Sequence, residues 1–268
     1  MTLKLAIAGA GGRMGRELAR IVHATAGCSL AGGLEAKGSA YVGMDYGALF
    51  GIPNLGIKIT DNPDQLIQSV DGIIDFTIPA ATLELARFTS TFGKIHVIGT
   101  TGIDVEGEAA IARAAHTARI VKSGNFSFGV NLMAGLVKKM AATLGPEFDI
   151  EILEMHHRAK IDAPSGTALM LGQAAADGRA VSLAEKAVRQ RDGHTGARNY
   201  GDIGFATLRG GAVVGEHTVM FAGPAERIEI THKAQSREMF ARGAVSAAIW
   251  ANDQKPGLYD MSDVLGLK

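Results

Sequence analysis

Cysteine is almost absent from this chain: Cys28 is the only one in 268 residues. That excludes an intrachain disulfide and fits a reducing compartment. Net charge is absent as well, because 27 Lys+Arg balance 27 Asp+Glu. Nothing in the overall charge draws the chain to nucleic acid or to a membrane surface. No apolar run reaches the ~20 residues that span a bilayer. The first apolar run starts at Leu3 and lacks the zones of a signal peptide. No Cys/His spacing of the metal-binding kind occurs, and there is neither an internal repeat nor a low-complexity segment. The expectation is a cytoplasmic protein without nucleic-acid or membrane partners, whose metabolite partners must be read from its sites. Glycine, by contrast, is abundant, with 35 residues, which implies tight turns and close backbone approaches.

Those glycines are not spread evenly. Leu3 to Ala8 reads as a strand and runs straight into Gly9-Ala10-Gly11-Gly12-Arg13-Met14-Gly15, followed by a helical pattern. Strand, glycine turn, helix is the setting of a dinucleotide fingerprint. The spacing here is G-x-x-G-x-x-G, which serves the same physics: a turn that approaches a pyrophosphate, and a helix N-terminus that stabilises its charge. The next strand, Cys28 to Leu34, ends at Glu35, about 20 residues past the turn, where a ribose-binding acid sits in such folds. Further strands at 72–76, 95–98 and 118–121 each end in a polar or Gly-rich loop: Thr77-Ile78-Pro79, Gly99-Thr100-Thr101-Gly102 and Lys122-Ser123-Gly124-Asn125-Phe126. Strands alternating with helices predict a Rossmann-like parallel sheet with its ligand beyond the carboxyl ends of the strands.

After Phe126 the pattern changes. A long helical run, 127–144, stops at Gly145-Pro146. The segment Glu154 to Ala168, EMHHRAKIDAPSGTA, then concentrates chemistry. His156 and His157 end a strand and leave it on different faces. Arg158 and Lys160 add positive charge. Asp162 to Thr167 opens a helix, with Pro and Ser marking its start, and the N–H groups of Gly166 and Thr167 suit a carboxylate. Clustered imidazoles, an ammonium and an anion cradle point to acid–base chemistry on a small acidic substrate.

The stretch 189–201 is polar, Gly-rich and reads as a mobile loop. Strand-like runs at 203–208, 213–221 and 227–232 follow one another without helices, which predicts antiparallel pairing in a separate α+β domain. Runs such as Val219-Met220-Phe221 are apolar on both sides, so one face of that sheet lacks a cover, and a second copy of the chain is the simplest one. A helix at 236–250 and a short closing element end the chain.

These motifs together resemble the dihydrodipicolinate reductase family of lysine biosynthesis. The likeness runs through GAGGRMG, DFTIP, VIGTTG, NFSFGVN, HHRAKIDAPSGTA, GHTG, IGFATLRGG, VGEHTVMF and EITHKAQSR. The resemblance implies an α/β protein: a dinucleotide-binding domain, 1–126 with 237–268, and an inserted α+β domain, 127–236, with a four-stranded mixed sheet that binds substrate and forms a homotetramer. It implies NADPH or NADH as cofactor, with contacts at Gly9, Ala10, Gly11, Gly12, Arg13, Met14, Glu35, Gly99, Thr100, Thr101, Ser123, Gly124, Asn125 and Phe126. His156 and Lys160 match the catalytic pair, and His157, Gly166 and Thr167 the contacts to a small dicarboxylate. Two positions depart from the pattern. Ala36, followed by Lys37, stands where many members place an Arg for the 2′-phosphate of NADPH, and Lys-Ser-Gly precedes Asn125 where alanines are common. The first alternative is another two-domain NAD(P) enzyme, such as a homoserine or semialdehyde dehydrogenase; the phosphorylating semialdehyde type needs a nucleophilic Cys, and Cys28 sits in the nucleotide half. A non-catalytic dinucleotide sensor needs no basic cluster at 156–160.

Overall fold

The first half of the chain is built from short apolar strands joined by helices. In order these are β1 (Leu3–Ala8), α1 (Arg13–Ala24), β2 (Cys28–Leu34), β3 (Ile59–Thr60), α2 (Pro63–Ser69), β4 (Gly72–Asp75), α3 (Pro79–Phe92), β5 (Ile95–Ile98), α4 (Val105–Ala114) and β6 (Arg119–Lys122). The second half holds α5 (Phe128–Thr143), β7 (Asp149–His156), α6 (Gly166–Arg179), α7 (Leu183–Lys186), β8 (Ala187–Val188), β9 (Ile203–Arg209), β10 (Gly215–Ala222) and β11 (Arg227–Ala234). It closes with α8 (Glu238–Asn252), β12 (Gly257–Tyr259) and α9 (Met261–Val264). The computed structural model describes residues 2–52 and 54–268. They form two compact units: residues up to Ser127 with Glu238–Gly266 and Lys268, and Phe128–Arg237 with Leu267.

The first unit is a seven-stranded parallel sheet in the order β12-β6-β5-β4-β1-β2-β3. Its six-strand core is the doubly wound order, and the winding reverses between β1 and β4. β4 and β5 are buried at every position and β1 at all but Lys4. Helices on both faces require such near-continuous apolar strands. α8 returns to this unit after the second one and packs on α1 and β5, its Ala241, Ala244, Val245 and Ala248 joining Leu5, Ile7 and Leu18 in one core. Among the described residues, no helix is long and apolar enough to cross a membrane.

The second unit has a mixed sheet in the order β11-β10-β7-β9-β8. It is five-stranded rather than four-stranded, because Ala187–Val188 adds a two-residue strand parallel to β9. Nor are its successive strands all antiparallel neighbours. β7 lies between β9 and β10, parallel to the first and antiparallel to the second. Only β10 and β11 form a sequential antiparallel pair. The polar stretch before β9 is held down by arginines. Arg198 donates to Asp149, Glu151 and the carbonyls of Ile150 and Asp202, and Arg191 makes a two-pronged bond to Glu151.

Residues on the inner face of this sheet decide where the site lies. Ile150 and Ile152 of β7, Ile203 and Phe205 of β9, and Val219 and Phe221 of β10 pack in one core with Leu171 and Ala175 of α6 and Val137 of α5. Burying side chains of this size contributes about 1.5–3 kcal/mol each. In the same phase, beyond the core residues on β7 and β9 and before them on the antiparallel β10, the face turns polar: Glu154 and His156 on β7, Thr207 and Arg209 on β9, His217 on β10. The register pairs Glu154 with both His217 and Thr207, and His156 with Arg209.

Candidate active site

In the first unit, the glycine turn leaves β1 through Gly9, whose φ of +69° lies in the left-handed region. The N–H groups of Gly9 and Ala10 donate to the Leu34 carbonyl, which fixes the turn against the end of β2. A Cβ at Gly15 would run into the Gly9 carbonyl, so only glycine lets α1 pack this close. α1 has no side-chain cap and no acidic residue in its first turn. Its positive end is therefore left for an external anion. Glu35 sits beside the turn, its Oε1 accepting from the Gly11 N–H at 2.6 Å. A cavity of about 550 Å³ opens here, lined among others by Gly9, Glu35, Ala36, Lys37, Asp61, Thr77, Ile78 and Glu84. This turn, carboxylate and cavity fit the adenosine and pyrophosphate of a dinucleotide.

Of the other expected cofactor contacts, Arg13 and Met14 open α1. Ala10 and Phe126 are fully buried. Ser123 Oγ donates to the Asn125 carbonyl at 2.7 Å and shapes the Ser123–Phe126 loop from within. Thr100 belongs to a buried cluster. Its hydroxyl meets Thr82 at 2.8 Å and donates to Asp75 at 3.4 Å. Asp75 also accepts from the N–H and hydroxyl of Thr77, from Thr82 and from the His96 ring. Burial alone would push this carboxyl up, but bonds from His96, Thr77 and Thr82 hold it below the usual carboxylate range. Tyr41, beyond β2, carries no local motif in the sequence. Its ring fills the space a Gly11 side chain would need, and its hydroxyl accepts from Arg16 at 3.1 Å.

In the second unit, His156 ends β7 with its ring buried, and its Nδ1 lies 2.6 Å from Glu154 Oε2. Glu154 is 1% exposed. Left alone, a buried carboxylate would cost several kcal/mol. Arg209 offsets that cost with a fork, Nη1 to Oε2 at 2.7 Å and Nη2 to Oε1 at 3.0 Å. The Ser165 N–H donates to Oε1 at 3.0 Å as well. Burial pushes the Glu154 carboxyl up, but Arg209, His156 and Ser165 together hold it below the usual range. His217, 4% exposed, sets its ring edge-on to His156 with centroids 5.1 Å apart, and its Nε2 lies 3.0 Å from Ser165 Oγ. Burial, with His156 beside it, lowers its pKa to about 4, so it is neutral at physiological pH.

Ser165 is also the N-cap of α6, its Oγ accepting from the Ala168 N–H. The helix therefore opens at Gly166. Pro164 lies one residue before the cap, after a cis Ala163–Pro164 bond, rather than in the first turn. No acidic residue lies in that first turn, so the expected anion cradle at Gly166 and Thr167 stands at the positive end of a 14-residue helix. His157 lies just past the strand and is half-buried, its N–H donating to the Val213 carbonyl. Lys160 does not reach the histidines. Its ammonium holds both oxygens of Asp162, at 2.8 and 2.9 Å, and this bond keeps Asp162 below the usual carboxylate range. Arg209 donates to the Asp162 carbonyl and so ties this loop to Glu154.

Thr207, Arg209 and His217 were not singled out from sequence. The signal lay in strand phase: each stands at the period-2 position of core residues such as Phe205 and Val219, where a polar residue requires a buried partner.

Comparison with known proteins gives a consistent result over both units. The family model described as the N-terminus of dihydrodipicolinate reductase matches residues 3–126, and that of the C-terminus matches 129–265. The 4-hydroxy-tetrahydrodipicolinate reductase of Afipia carboxidovorans is 59% identical over 265 residues, covering 99% of this chain and 97% of that protein. The protein of the same name from Brucella abortus is 55% identical over 264 residues, 98% of each chain. Among solved structures, a dipicolinate-bound dihydrodipicolinate reductase from Paenisporosarcina sp. superposes with a TM-score of 0.79 at 24% identity, over 97% of this chain and 98% of that one, which shows a shared fold. With its glycine turn, its Glu154-anchored histidine and both halves matched end to end, the chain belongs to the dihydrodipicolinate reductase family.

Proposed function

We propose that this protein converts 4-hydroxy-tetrahydrodipicolinate to tetrahydrodipicolinate, the 4-hydroxyl leaving as water to give the conjugated imine that NADH or NADPH reduces, in lysine and diaminopimelate biosynthesis. The observation that carries this reading is the polar end of the second sheet. There the Glu154-anchored His156 and the positive end of α6 stand on one segment with Lys160 between them in sequence, in a chain that relatives of that name match over nearly their full length. When bound, the nicotinamide supplies hydride.

The protein's own groups handle charge and orientation. The positive end of α6, with Gly166 and Thr167, and the half-buried His157 bind the carboxylates of a dianionic substrate. Reduction of a conjugated C=N leaves negative charge towards the ring nitrogen, which His156 and Lys160 stabilise before one of them delivers the proton. Lys160 must exchange its bond to Asp162 for one to the substrate. Glu35 binds the adenosine ribose, while Lys37 and Arg13 offset its repulsion of a 2′-phosphate, so both cofactors are used. The chain works in the cytoplasm as a homotetramer assembled through residues 127–236.

The rival readings fare less well. A phosphorylating semialdehyde dehydrogenase requires a reactive thiol, but Cys28 is buried and burial pushes its pKa up. A dinucleotide sensor has no use for a carboxylate-anchored histidine. The deciding experiment is NADPH and NADH oxidation with and without freshly generated dihydrodipicolinate. Substrate-dependent oxidation is expected, and its absence with both cofactors overturns the reading.

A further inference from the structure

We infer that Glu154 is a positioning residue that sets the tautomer of His156 and couples that ring to the carboxylate-binding turn. The inference rests on the reading of His156 as an acid–base group. One carboxylate makes both links: Oε2 accepts from His156 Nδ1 at 2.6 Å, and Oε1 accepts from the Ser165 N–H at 3.0 Å. A structural ion pair with Arg209 would need neither of them.

The chemistry of the pair fixes which ring nitrogen works. Against the effect of burial, Arg209, His156 and the Ser165 N–H hold Glu154 ionised, and an ionised carboxylate can only accept. Nδ1 therefore carries a proton whatever the charge of the ring, and every proton that His156 gains or loses moves through Nε2. Nε2 packs closely against the neighbouring strand. Across the sheet stands Gly215, and a Cβ at that position would lie 3.0 Å from Nε2. Glu154 is thus not itself a proton donor, and its effect reaches substrate only through His156 and Ser165. Substrate carboxylate on the α6 turn and proton on Nε2 are kept at a fixed spacing by a single side chain.

Glu154→Gln tests this in the full-length enzyme. The amide presents an N–H donor where the carboxylate only accepted, and so selects the opposite tautomer. Ring ¹⁵N NMR, with the His156 signals assigned by their loss in His156→Asn, is the first readout. The neutral ring, reached by raising the pH, is expected to carry its proton on Nδ1 in the wild type and on Nε2 in Glu154→Gln. The second readout is kinetic: kcat is expected to fall on the order of 10²–10⁴-fold, with the KM for NADH within about twofold because the first unit is untouched. A wild-type neutral ring protonated on Nε2 overturns the inference even if the variant does not fold. So does a Glu154→Gln enzyme with unchanged tautomer and near-normal kcat. The tautomer readout is independent of turnover. If His156→Asn keeps full activity while Glu154→Gln still switches the tautomer, the functional reading of His156 fails and the positioning role of Glu154 stands.

Discussion

Lys160 holds its charge against Asp162, a carboxylate whose side chain is more than half exposed. An exposed pair of this kind is worth about 1 kcal/mol or less, so substrate can displace Asp162 at little cost. Lys160→Ala is therefore expected to fold normally and to lower kcat by on the order of 10²–10⁴-fold, the range of a lost general acid. Nucleotide binding, followed by NADH fluorescence, should be unchanged, and near-normal turnover would exclude the role. The residue after Glu35 sets a second prediction. Ala36 offers nothing to a 2′-phosphate, and Lys37 on the cavity wall acts as a point charge without the fork of an arginine. NADH and NADPH should then lie within about tenfold in kcat/KM, or about 1.4 kcal/mol. Ala36→Arg should move the ratio towards NADPH. A wild-type preference above about a hundredfold either way, or no shift in the variant, contradicts this account of the pocket.

At the scale of elements, both units place their candidate site residues where strands end. Asp75 closes β4 and binds the start of the 77–79 loop, Thr82 of α3 and Thr100 beyond β5, so one buried carboxylate ties a loop that lines the cavity to one expected to contact cofactor. Asp75→Asn puts an amide, which must donate as well as accept, where a carboxylate accepts from Thr77, Thr82 and the His96 ring. It should lower stability by about 1–3 kcal/mol, the cost of buried polar groups left unsatisfied, and weaken NADH binding in the protein that remains folded. Urea unfolding and a cofactor titration check both effects, and an unchanged midpoint would show that the cluster is dispensable. The parallel sheet was legible in the sequence because its strands and helices alternate and its loops carry glycine. The glycine turn, Glu35, the two histidines and the α6 start were legible because each is a local motif. Strand partnership was not. Nothing local in Asp149–His156 says that it lies between β9 and β10, and only that placement brings Arg209 and His217 to Glu154. Ala187–Val188 was missed for the same reason: a two-residue strand has no periodicity of its own.

For the molecule as a whole, pH and assembly give the decisive tests. His217 takes up a proton only near pH 4 when folded, against an ordinary value of 6.5. Between those values the unfolded chain binds the proton and the native one does not, so stability falls as pH drops from 6.5 to 4, by up to about 3 kcal/mol from this group. His232, also lowered by burial, acts in the same direction. Thermal unfolding across this window should show a steep decline that His217→Gln flattens, and equal slopes would rule the assignment out. Assembly follows from the sheet of the second unit. Its inner face is covered by α5 and α6, but its outer face carries half-buried Leu153, Met155 and Met220 and the exposed Leu208 between polar residues such as Thr218 and Thr231. Apolar side chains grouped on an open sheet face favour association, and a chain that pairs with itself does so through closed symmetry. Light scattering at micromolar concentration should give four times the monomer mass. Leu153→Arg, which puts an unpaired charge in the middle of that face, should yield a smaller species that still binds NADH through the first unit. A wild-type monomer, or a Leu153→Arg protein that remains tetrameric, would show that this face is not the interface.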